Sequence, residues 1–249
     1  MTDYSKTFYD ELEDTAAPSA KRVAPLVRGL MTAESVVDIG CGTGSWLKAF
    51  ADEGAGDVLG VDGDWVREDQ LLIEAGSFTR CDLTKSLPVD RTFDLAISLE
   101  VAEHLNQEFA SGFVGELTRL APVVLFSAAI PGQGGLHHVN EQPPEYWAEL
   151  FAERGFQVID AIRWQVWGDP LVTWWYKQNI LLFASDAGLK ANPKLAAACK
   201  ATPPGAPVHI VHPERYAAMA KQARPGFGSW VKMGGKALRR SLVRRGHGD

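Results

Sequence analysis

The sequence predicts an α/β fold built on a mostly parallel sheet, and three observations support this prediction. First, short β-branched apolar runs alternate with amphipathic segments up to residue 185, which is typical of parallel sheets covered by helices. Second, a glycine-rich loop, DIGCGTG, follows the first of these runs at residues 38–44. Third, carboxylates stand directly after several runs, at the sheet edge where such folds bind their ligands.

Hydrophobic periodicity predicts the elements in chain order. A helix is expected over SAKRVAPLVRGL (19–30), and residues 1–17 before it are expected to be partly mobile. The predicted strands are SVVDI (35–39), DVLGVD (57–62), SFTRCDL (77–83), FDLAISL (93–99), PVVLFSAAI (122–130), FQVIDAIRW (156–164) and QNILLFAS (178–185). The predicted helices between them are SWLKAFADEG (45–54), WVREDQLLIEAG (65–76), NQEFASGFVGELTRL (106–120) and PPEYWAELFAERGF (143–156).

Length and composition favour one intracellular domain. The chain has 249 residues and 46% apolar content, which suits a single globular core. It contains no run of 18 apolar residues and no basic-then-apolar leader, so neither a membrane span nor a secretory signal is predicted. Its three cysteines are widely spaced, which favours a reduced, cytoplasmic setting.

The charge is unevenly distributed. Up to Ser185 there are 13 basic and 28 acidic residues, a formal charge of −15, whereas the remaining residues carry 12 basic and 3 acidic side chains, or +9. Residues 18–185 are expected to form the main domain and 186–249 an Ala/Pro-rich linker with a basic tail. The tail segment 229–246 has the spacing of a basic amphipathic helix that lies on an anionic membrane surface, so a membrane-peripheral location is one expectation. The alternative is a solvated tail that packs on the acidic body.

The glycine loop points to a positively charged nucleoside. It is not the GxGxxG of dinucleotide folds, because its third glycine comes one residue early, and no lysine follows it as in a phosphate-binding P-loop. Asp38 precedes the glycines, Asp62 ends the second strand and Asp82 ends the third. Acids rather than bases around the loop favour S-adenosylmethionine (SAM), which has a sulfonium, an amine and a ribose.

The segments VVDIGCGTGSWLKAF, VDGDW, RCDL and FDLAISLEVAEHL resemble, in this order, the motifs of class I SAM-dependent methyltransferases. The resemblance covers roughly residues 30–185. It implies a Rossmann-like sheet of seven strands with helices on both faces and an antiparallel last strand. It also implies a ribose-binding role for Asp62, an adenine border at Asp82 and Leu83, and a place near the methyl group for Glu100. The implied cofactor-binding set is Asp38, Gly40, Cys41, Gly42, Gly44, Asp62, Gly63, Asp82, Leu83 and Glu100.

The segment SLEVAEHL (98–105) places two glutamates and a histidine after the fourth strand, and HHVNE (137–141) follows the fifth. The pattern ExxEH followed by HxxE resembles the metal site of small-RNA 3′-terminal 2′-O-methyltransferases, and ubiquinone-type O-methyltransferases share the ExxEH segment. The resemblance implies that Mg²⁺ or Mn²⁺ is bound by Glu100, Glu103, His104 and His138. Alternatively, the second acid only caps a helix and the histidines only shape a loop. The candidates for taking or directing a proton are His104, His137 and His138.

A tryptophan-rich stretch, RWQVWGDPLVTWWYKQN, spans residues 163–179. Such aromatics usually fill a core or stack across a hairpin. The alternative is that some of them line an acceptor pocket, since tryptophan faces suit sugar rings, aromatic substrates and nucleobases.

The sequence therefore predicts a SAM-dependent methyltransferase that acts on a hydroxyl of a small molecule or glycan, with assistance from a metal. Two alternatives remain at this stage. An RNA 2′-O-methyltransferase fits the ExxEH pattern and the basic tail, although the acidic body would repel phosphates. A catalytically silent SAM-binding module is the other.

Overall fold

Seven strands form one sheet in the order β3-β2-β1-β4-β5-β7-β6. The structure, a computed structural model, describes residues 6–203 and 208–223. β7 runs antiparallel to both of its neighbours, and the other pairs are parallel. The predicted fold class is confirmed. The strands are β1 (Ser35–Ile39), β2 (Asp57–Asp62), β3 (Phe78–Arg80), β4 (Leu95–Leu99), β5 (Val123–Ser127), β6 (Phe156–Ile159) and β7 (Leu181–Ser185).

Helices cover both faces of this sheet. Alternate strand residues point to opposite faces, so Val36 joins the core under α1 and α2, whereas its neighbour Val37 joins the core under α3 and α4. The helices are α1 (Lys6–Leu30), α2 (Ser45–Asp52), α3 (Ala110–Leu120), α4 (Pro144–Ala152), α5 (Arg163–Val166), α6 (Trp174–Asn179), α7 (Asp186–Ala191), α8 (Pro193–Ala201) and α9 (Pro213–Ala223). The last of these belongs to a separate unit that begins at Val211.

The helix predicted over residues 65–76 is not present. Two single 3-10 turns, Glu68–Gln70 and Ala75–Ser77, replace it. The segment lies across the glycine loop, because the Leu72 amide donates to the Thr43 carbonyl at 2.8 Å and Ile73 packs against Gly44. These contacts hold the segment in an irregular path that excludes a continuous helix.

The C-terminal part of the domain is more helical than predicted. β6 ends at Ile159, and the tryptophan-rich stretch forms α5 and α6 rather than strands. Residues 186–201, which read as the beginning of a linker, form α7 and α8. Leu195 explains the difference, since this side chain is fully buried in the core that α1 also joins.

The two ends of the chain also bear on the predictions. The helix expected from Ser19 extends back to Lys6. No helix among the residues that the structure describes is both long and apolar enough to cross a membrane. The basic tail helix predicted at 229–246 lies outside the described residues.

Candidate active site

A cavity of about 750 Å³ opens at the carboxyl ends of the parallel strands. Its wall combines the glycine loop, the ends of β2 and β4, the loop after β5 and the start of α6. This is the edge at which open α/β sheets bind ligands. Of the predicted cofactor residues, Gly40, Cys41, Gly42, Asp62, Asp82, Leu83 and Glu100 line it.

The three loop glycines all have positive φ, between 53° and 87°. A side chain is disfavoured there because a Cβ crowds the backbone. Gly40 has a second constraint, since a Cβ at this position would overlap the Val101 side chain. Asp38 and Gly44 lie outside the cavity wall: Asp38 is buried within β1 and Gly44 caps the N-terminus of α2.

Asp62 ties two parts of the site together. Its Oδ2 accepts a hydrogen bond from the Gly42 amide at 2.7 Å, and its Oδ1 accepts one from the Gly63 amide at 2.7 Å. Burial raises the pKa of Asp62 to about 6, although these amides act in the opposite direction. Gly63 itself is covered by the Trp65 ring, which a Cβ would overlap. The Trp65 side chain also donates a hydrogen bond to Asp62, so only part of the accepting capacity of the carboxylate remains for a ligand.

Asp82 is more exposed and lies at the rim. Hydrogen bonds from the Thr84 hydroxyl (2.7 Å) and amide (3.0 Å) lower the pKa of this carboxyl. Lys85 lies 3.3 Å from its other oxygen. Asp82 is therefore an ionised acceptor next to Leu83.

Glu100 follows β4 directly and adopts a φ of 57°, which is rare for a residue with a side chain. Its Oε2 accepts a hydrogen bond from the side-chain amide of Gln133 at 2.8 Å, and its Oε1 accepts one from the side-chain amide of Asn179 at 3.0 Å. Burial raises the pKa of Glu100, and these hydrogen bonds lower it in part. The strained backbone is fixed by its surroundings, as is usual at functional sites.

Glu103 is fully buried, and neither of its oxygens accepts a hydrogen bond of normal geometry. Burial raises the pKa of Glu103 well above its ordinary value, and the nearby Glu100 carboxyl raises it further. A buried carboxyl without partners is costly. The usual compensations are a proton, a cation or water.

Two imidazoles face Glu103. The ring centroids of His104 and His138 are 4.9 Å apart, and one ligand atom from each of the three side chains lies within 4.8 Å of the others. His104 Nδ1 is buried without a hydrogen-bond partner. Burial, and then the neighbouring His138, lower the pKa of His104 to about 4. Three of the four predicted metal ligands therefore converge, whereas Glu100 is held by its two amides.

Glu141 fixes the orientation of His138. Its carboxylate accepts from the amides of Gly132 (2.7 Å) and Gly134 (2.6 Å), and its Oε1 lies 3.0 Å from His138 Nδ1. These hydrogen bonds outweigh burial and lower the pKa of Glu141. Because an ionised carboxylate only accepts, Nδ1 donates to Glu141, and Nε2 is the nitrogen that faces Glu103. Nε2 lies 4.0 Å from Glu103 Oε1.

The neighbours of His138 differ in their placement. His137 is exposed at the rim with a φ of 60°. At position 135 a Cβ would overlap the His138 ring, so this glycine makes room for the imidazole.

The backbone amides of Val139 and Asn140 donate to the backbone carbonyl of Glu103 at 2.9 and 3.0 Å. These bonds fasten the loop after β5 onto the turn after β4.

Sequence reasoning missed the two amides that hold Glu100. Gln133 and Asn179 are buried and also bond to each other at 2.9 Å. Asn179 lies directly before β7, in a segment that was read as strand. The available signal was an uncharged polar residue at the end of an apolar run, which is common and therefore weak.

Part of the tryptophan-rich stretch reaches the cavity. Trp174, Trp175 and Tyr176 on α6 line it, together with Trp46 on α2. Trp46 and Tyr176 meet edge to face at 5.1 Å. Trp164 is 60% exposed and lies outside the wall. Three described residues of α6 therefore line the cavity, whereas those of α5 do not, and a role in acceptor binding stays a prediction.

Comparisons with known proteins agree with this geometry. Residues 36–121 match the family described as a methyltransferase domain. No curated protein matches the chain. Among solved structures, the sugar N-methyltransferase KedS8 from Streptoalloteichus has 16% identity and a TM-score of 0.54, with 74% of this chain and 96% of that one covered.

Two further structures share the fold. The methyltransferase domain of bacterial CtHen1-C has 21% identity and a TM-score of 0.50, with 69% of this chain and 99% of that one covered. The magnesium protoporphyrin IX methyltransferase ChlM from Synechocystis, solved with bound SAM, has 20% identity and a TM-score of 0.50, with 74% and 87% covered. Residues 36–121 therefore resemble a methyltransferase domain, and the solved structures show that the chain shares the fold of these methyltransferases.

Proposed function

We propose that this protein transfers the methyl group of SAM to a hydroxyl oxygen of a small molecule or glycan, with a divalent cation held by Glu103, His104 and His138. One observation carries the proposal. A fully buried carboxyl group, neither of whose side-chain oxygens accepts a hydrogen bond of normal geometry, faces two imidazoles in the same cavity as the glycine loop.

The cofactor assignment follows the cavity wall. The loop glycines leave room for the methionine part of SAM, and Asp62 offers its remaining accepting capacity to the ribose hydroxyls. Asp82 and Leu83 border the adenine, and Glu100 lies at the methyl end. Asp38, Gly44 and Gly63 act indirectly, by shaping the loop and the end of β2.

The chemistry of the three side chains fits Mg²⁺, Mn²⁺ or Zn²⁺. A histidine whose second nitrogen donates to a carboxylate is the usual arrangement around a metal ligand, and the Glu141–His138 pair has this form. The cation would supply Lewis acidity, lowering the pKa of a chelated hydroxyl. Hydroxyls on adjacent carbons favour Mg²⁺ or Mn²⁺, which prefer oxygen ligands.

The three imidazoles have different roles in the proposed reaction. With its pKa near 4, His104 is neutral at physiological pH and keeps a lone pair. His138 is oriented by Glu141, so its Nε2 faces Glu103. His137, exposed at the rim, is placed to accept the acceptor's proton and release it to solvent. SAM is already a strong electrophile. Methyl transfer therefore depends more on the alignment of the acceptor oxygen with the methyl group than on the acid or base strength of the imidazoles.

The RNA 2′-O-methyltransferase alternative uses the same three side chains on a terminal ribose diol. The likeness to CtHen1-C is one of fold. The strongly acidic body argues against RNA as the acceptor, since phosphate binding depends on basic residues. The charge distribution supports an anionic surface as the tail's partner and a cytoplasmic, membrane-peripheral location, but residues 224–249 lie outside the described part of the chain.

Calorimetry tests the proposal. S-adenosylhomocysteine (SAH) is titrated into metal-stripped protein, followed by MnCl₂, for the wild type, Glu103→Gln and the exposed control Glu108→Gln. We expect SAH to bind all three proteins. We expect Mn²⁺ affinity to fall at least about tenfold in Glu103→Gln alone. Equal Mn²⁺ binding by all three would exclude the metal site, and absent SAH binding would contradict the cofactor assignment.

A further inference from the structure

The cavity wall carries acids but no strong bases. Among the described residues that line it, four are carboxylates and none is a lysine or an arginine. The four are Asp62, Asp82, Glu100 and Glu103. The wall therefore offers no cationic side chain for a phosphate or carboxylate of the acceptor.

The positive groups next to the cavity are already engaged. Lys85 lies 3.3 Å from Asp82, with which it forms an exposed ion pair. The N-terminus of α2 also faces the cavity, but it follows the glycine loop, on the side assigned to the cofactor. Among the residues that the structure describes, no lysine or arginine lines the rest of the wall, so removal of an anionic acceptor's charge from water would be unfavourable there.

The acceptor side is apolar and flat-walled. Leu136 and Val139, which are 52% and 59% exposed, flank the two histidines in the loop after β5. Phe109 follows the His104 turn, and Trp174 and Trp175 project from α6. Exposed apolar side chains at the mouth of a cavity are typical of a ligand site. Tryptophan faces favour planar rings and sugar faces.

We propose that the acceptor carries adjacent hydroxyls on a flat, apolar, uncharged or cationic body, and that phosphate- or carboxylate-bearing acceptors are poor substrates. This inference rests on the proposed O-methyltransferase function. In the reaction the acceptor oxygen bonds to the methyl carbon, the carbon–sulfur bond breaks with its electron pair moving to sulfur, and the hydroxyl proton is released to solvent. The products are the methyl ether, SAH and a proton.

A matched set of catechols tests it, because its members differ mainly in charge. They are 4-methylcatechol (neutral), dopamine (cationic) and 3,4-dihydroxyphenylacetate (anionic), each assayed with SAM and Mg²⁺ for SAH formation and for binding in the presence of SAH. We expect kcat/KM and affinity for the neutral and cationic compounds to exceed those for the anionic one by about tenfold or more. A short RNA with a 3′-terminal diol is included and is expected to be inactive.

Two variants sharpen the test. Leu136→Lys places a cation on an exposed part of the wall, so we expect it to improve the anionic acceptor relative to the neutral one by about fivefold or more. Trp175→Ala should raise KM for all three catechols, whereas Trp164→Ala, outside the wall, should not.

The outcomes separate the two proposals. Preference for the anionic compound or for RNA, or failure of all three catechols to bind or react, overturns the acceptor inference. Mn²⁺ binding to the wild type and to Glu103→Gln, measured without any acceptor, tests the metal site independently of the acceptor. If the catechols react in the expected order but without a divalent ion, the acceptor inference stands and the metal proposal fails.

Discussion

Val101 packs against the backbone of Gly40, at the point where the turn after β4 meets the glycine loop. A single missing methyl group thus allows two loops of the active site to touch. The positive φ of 84° adds a second reason for glycine at this position. Gly42 differs, because its φ is also positive but the space beside it is open.

We expect Gly40→Ala to lower the stability by about 2 kcal/mol or more, because it combines backbone strain with overpacking. Gly42→Ala should cost only about 1 kcal/mol but should weaken SAH binding, since its methyl group enters the cavity. Urea unfolding and SAH calorimetry measure the two effects. The double variant Gly40→Ala/Val101→Ala should recover part of the lost stability. Without such recovery, the contact with Val101 is not the cause.

Asp62 links pH to stability. Its pKa of about 6 lies above its ordinary value of 3.8, so the folded protein binds this proton more tightly than the unfolded chain does. Its contribution to the free energy of unfolding is present at low pH and is lost as the pH rises through about 6. The loss amounts to about 3 kcal/mol for a shift of this size.

Comparison with Asp62→Asn cancels the titrating groups that do not interact with Asp62. Asp38 acts in the same direction, because the charge of Asp62 contributes to its raised pKa. We expect the variant's free energy of unfolding, relative to that of the wild type, to rise by about 3 kcal/mol between about pH 4 and pH 7. Urea titrations of the cofactor-free proteins at several pH values measure it. A difference that stays constant over this range would show that the pKa of Asp62 is not raised.

At the scale of elements, the segment after β7 is part of the folded domain. α7 begins with a cap, in which the Gly188 amide donates to the Ser185 side chain at 3.2 Å. α8 contacts α1 and β6 and buries Leu195 completely. Its composition resembles that of a linker, yet one large apolar side chain per helix is enough to anchor it.

We expect Leu195→Ala to lower the free energy of unfolding by about 2–5 kcal/mol, because it leaves a cavity in the core. Lys194→Ala, on the exposed side of the same helix, should change it by less than about 0.5 kcal/mol. Urea denaturation of both variants provides the comparison. Equal stability would mean that residues 186–203 behave as a linker after all.

At the scale of the whole domain, Arg163 connects distant parts of the chain. It is fully buried and forms a two-pronged ion pair with Asp160 at 2.9 and 2.7 Å. It also donates to the carbonyls of Gln178 (3.0 Å) and Val208 (2.6 Å). Gln178 lies next to Asn179, one of the two amides that hold Glu100. The charge at position 163 therefore supports the wall of the active site from behind.

We expect Arg163→Gln to destabilise the domain by about 3–5 kcal/mol, because Asp160 loses its buried partner. Arg22→Gln provides a matched control, since this arginine pairs with Asp169 at 2.6 Å but is 54% exposed, and should cost less than about 1 kcal/mol. Thermal unfolding of both variants measures the difference. Similar melting temperatures of the two variants would show that the buried Arg163 ion pair stabilises the domain no more than the exposed Arg22 ion pair does.

The sequence by itself determined the sheet and its ligand edge. β-branched runs separated by amphipathic segments predicted all seven strands and the helices α1 to α4, because local periodicity depends on residues close in the chain. Glycines and acids next to strand ends identified the cavity wall at Gly40, Gly42, Asp62 and Asp82. The histidine and glutamate pattern identified three side chains that the fold brings within 4.8 Å.

Only the tertiary structure decided the rest. The irregular path of residues 65–76, the helical tryptophan stretch and the packing of α8 depend on contacts with residues far away in the sequence, which outweigh local preference. The same holds for Glu100, whose carboxylate is held by Gln133 and Asn179, 33 and 79 residues away. It also holds for the absence of lysine and arginine from the described cavity wall. Periodicity predicts on which face of an element a side chain lies, but only the folded structure shows which other side chains it contacts there.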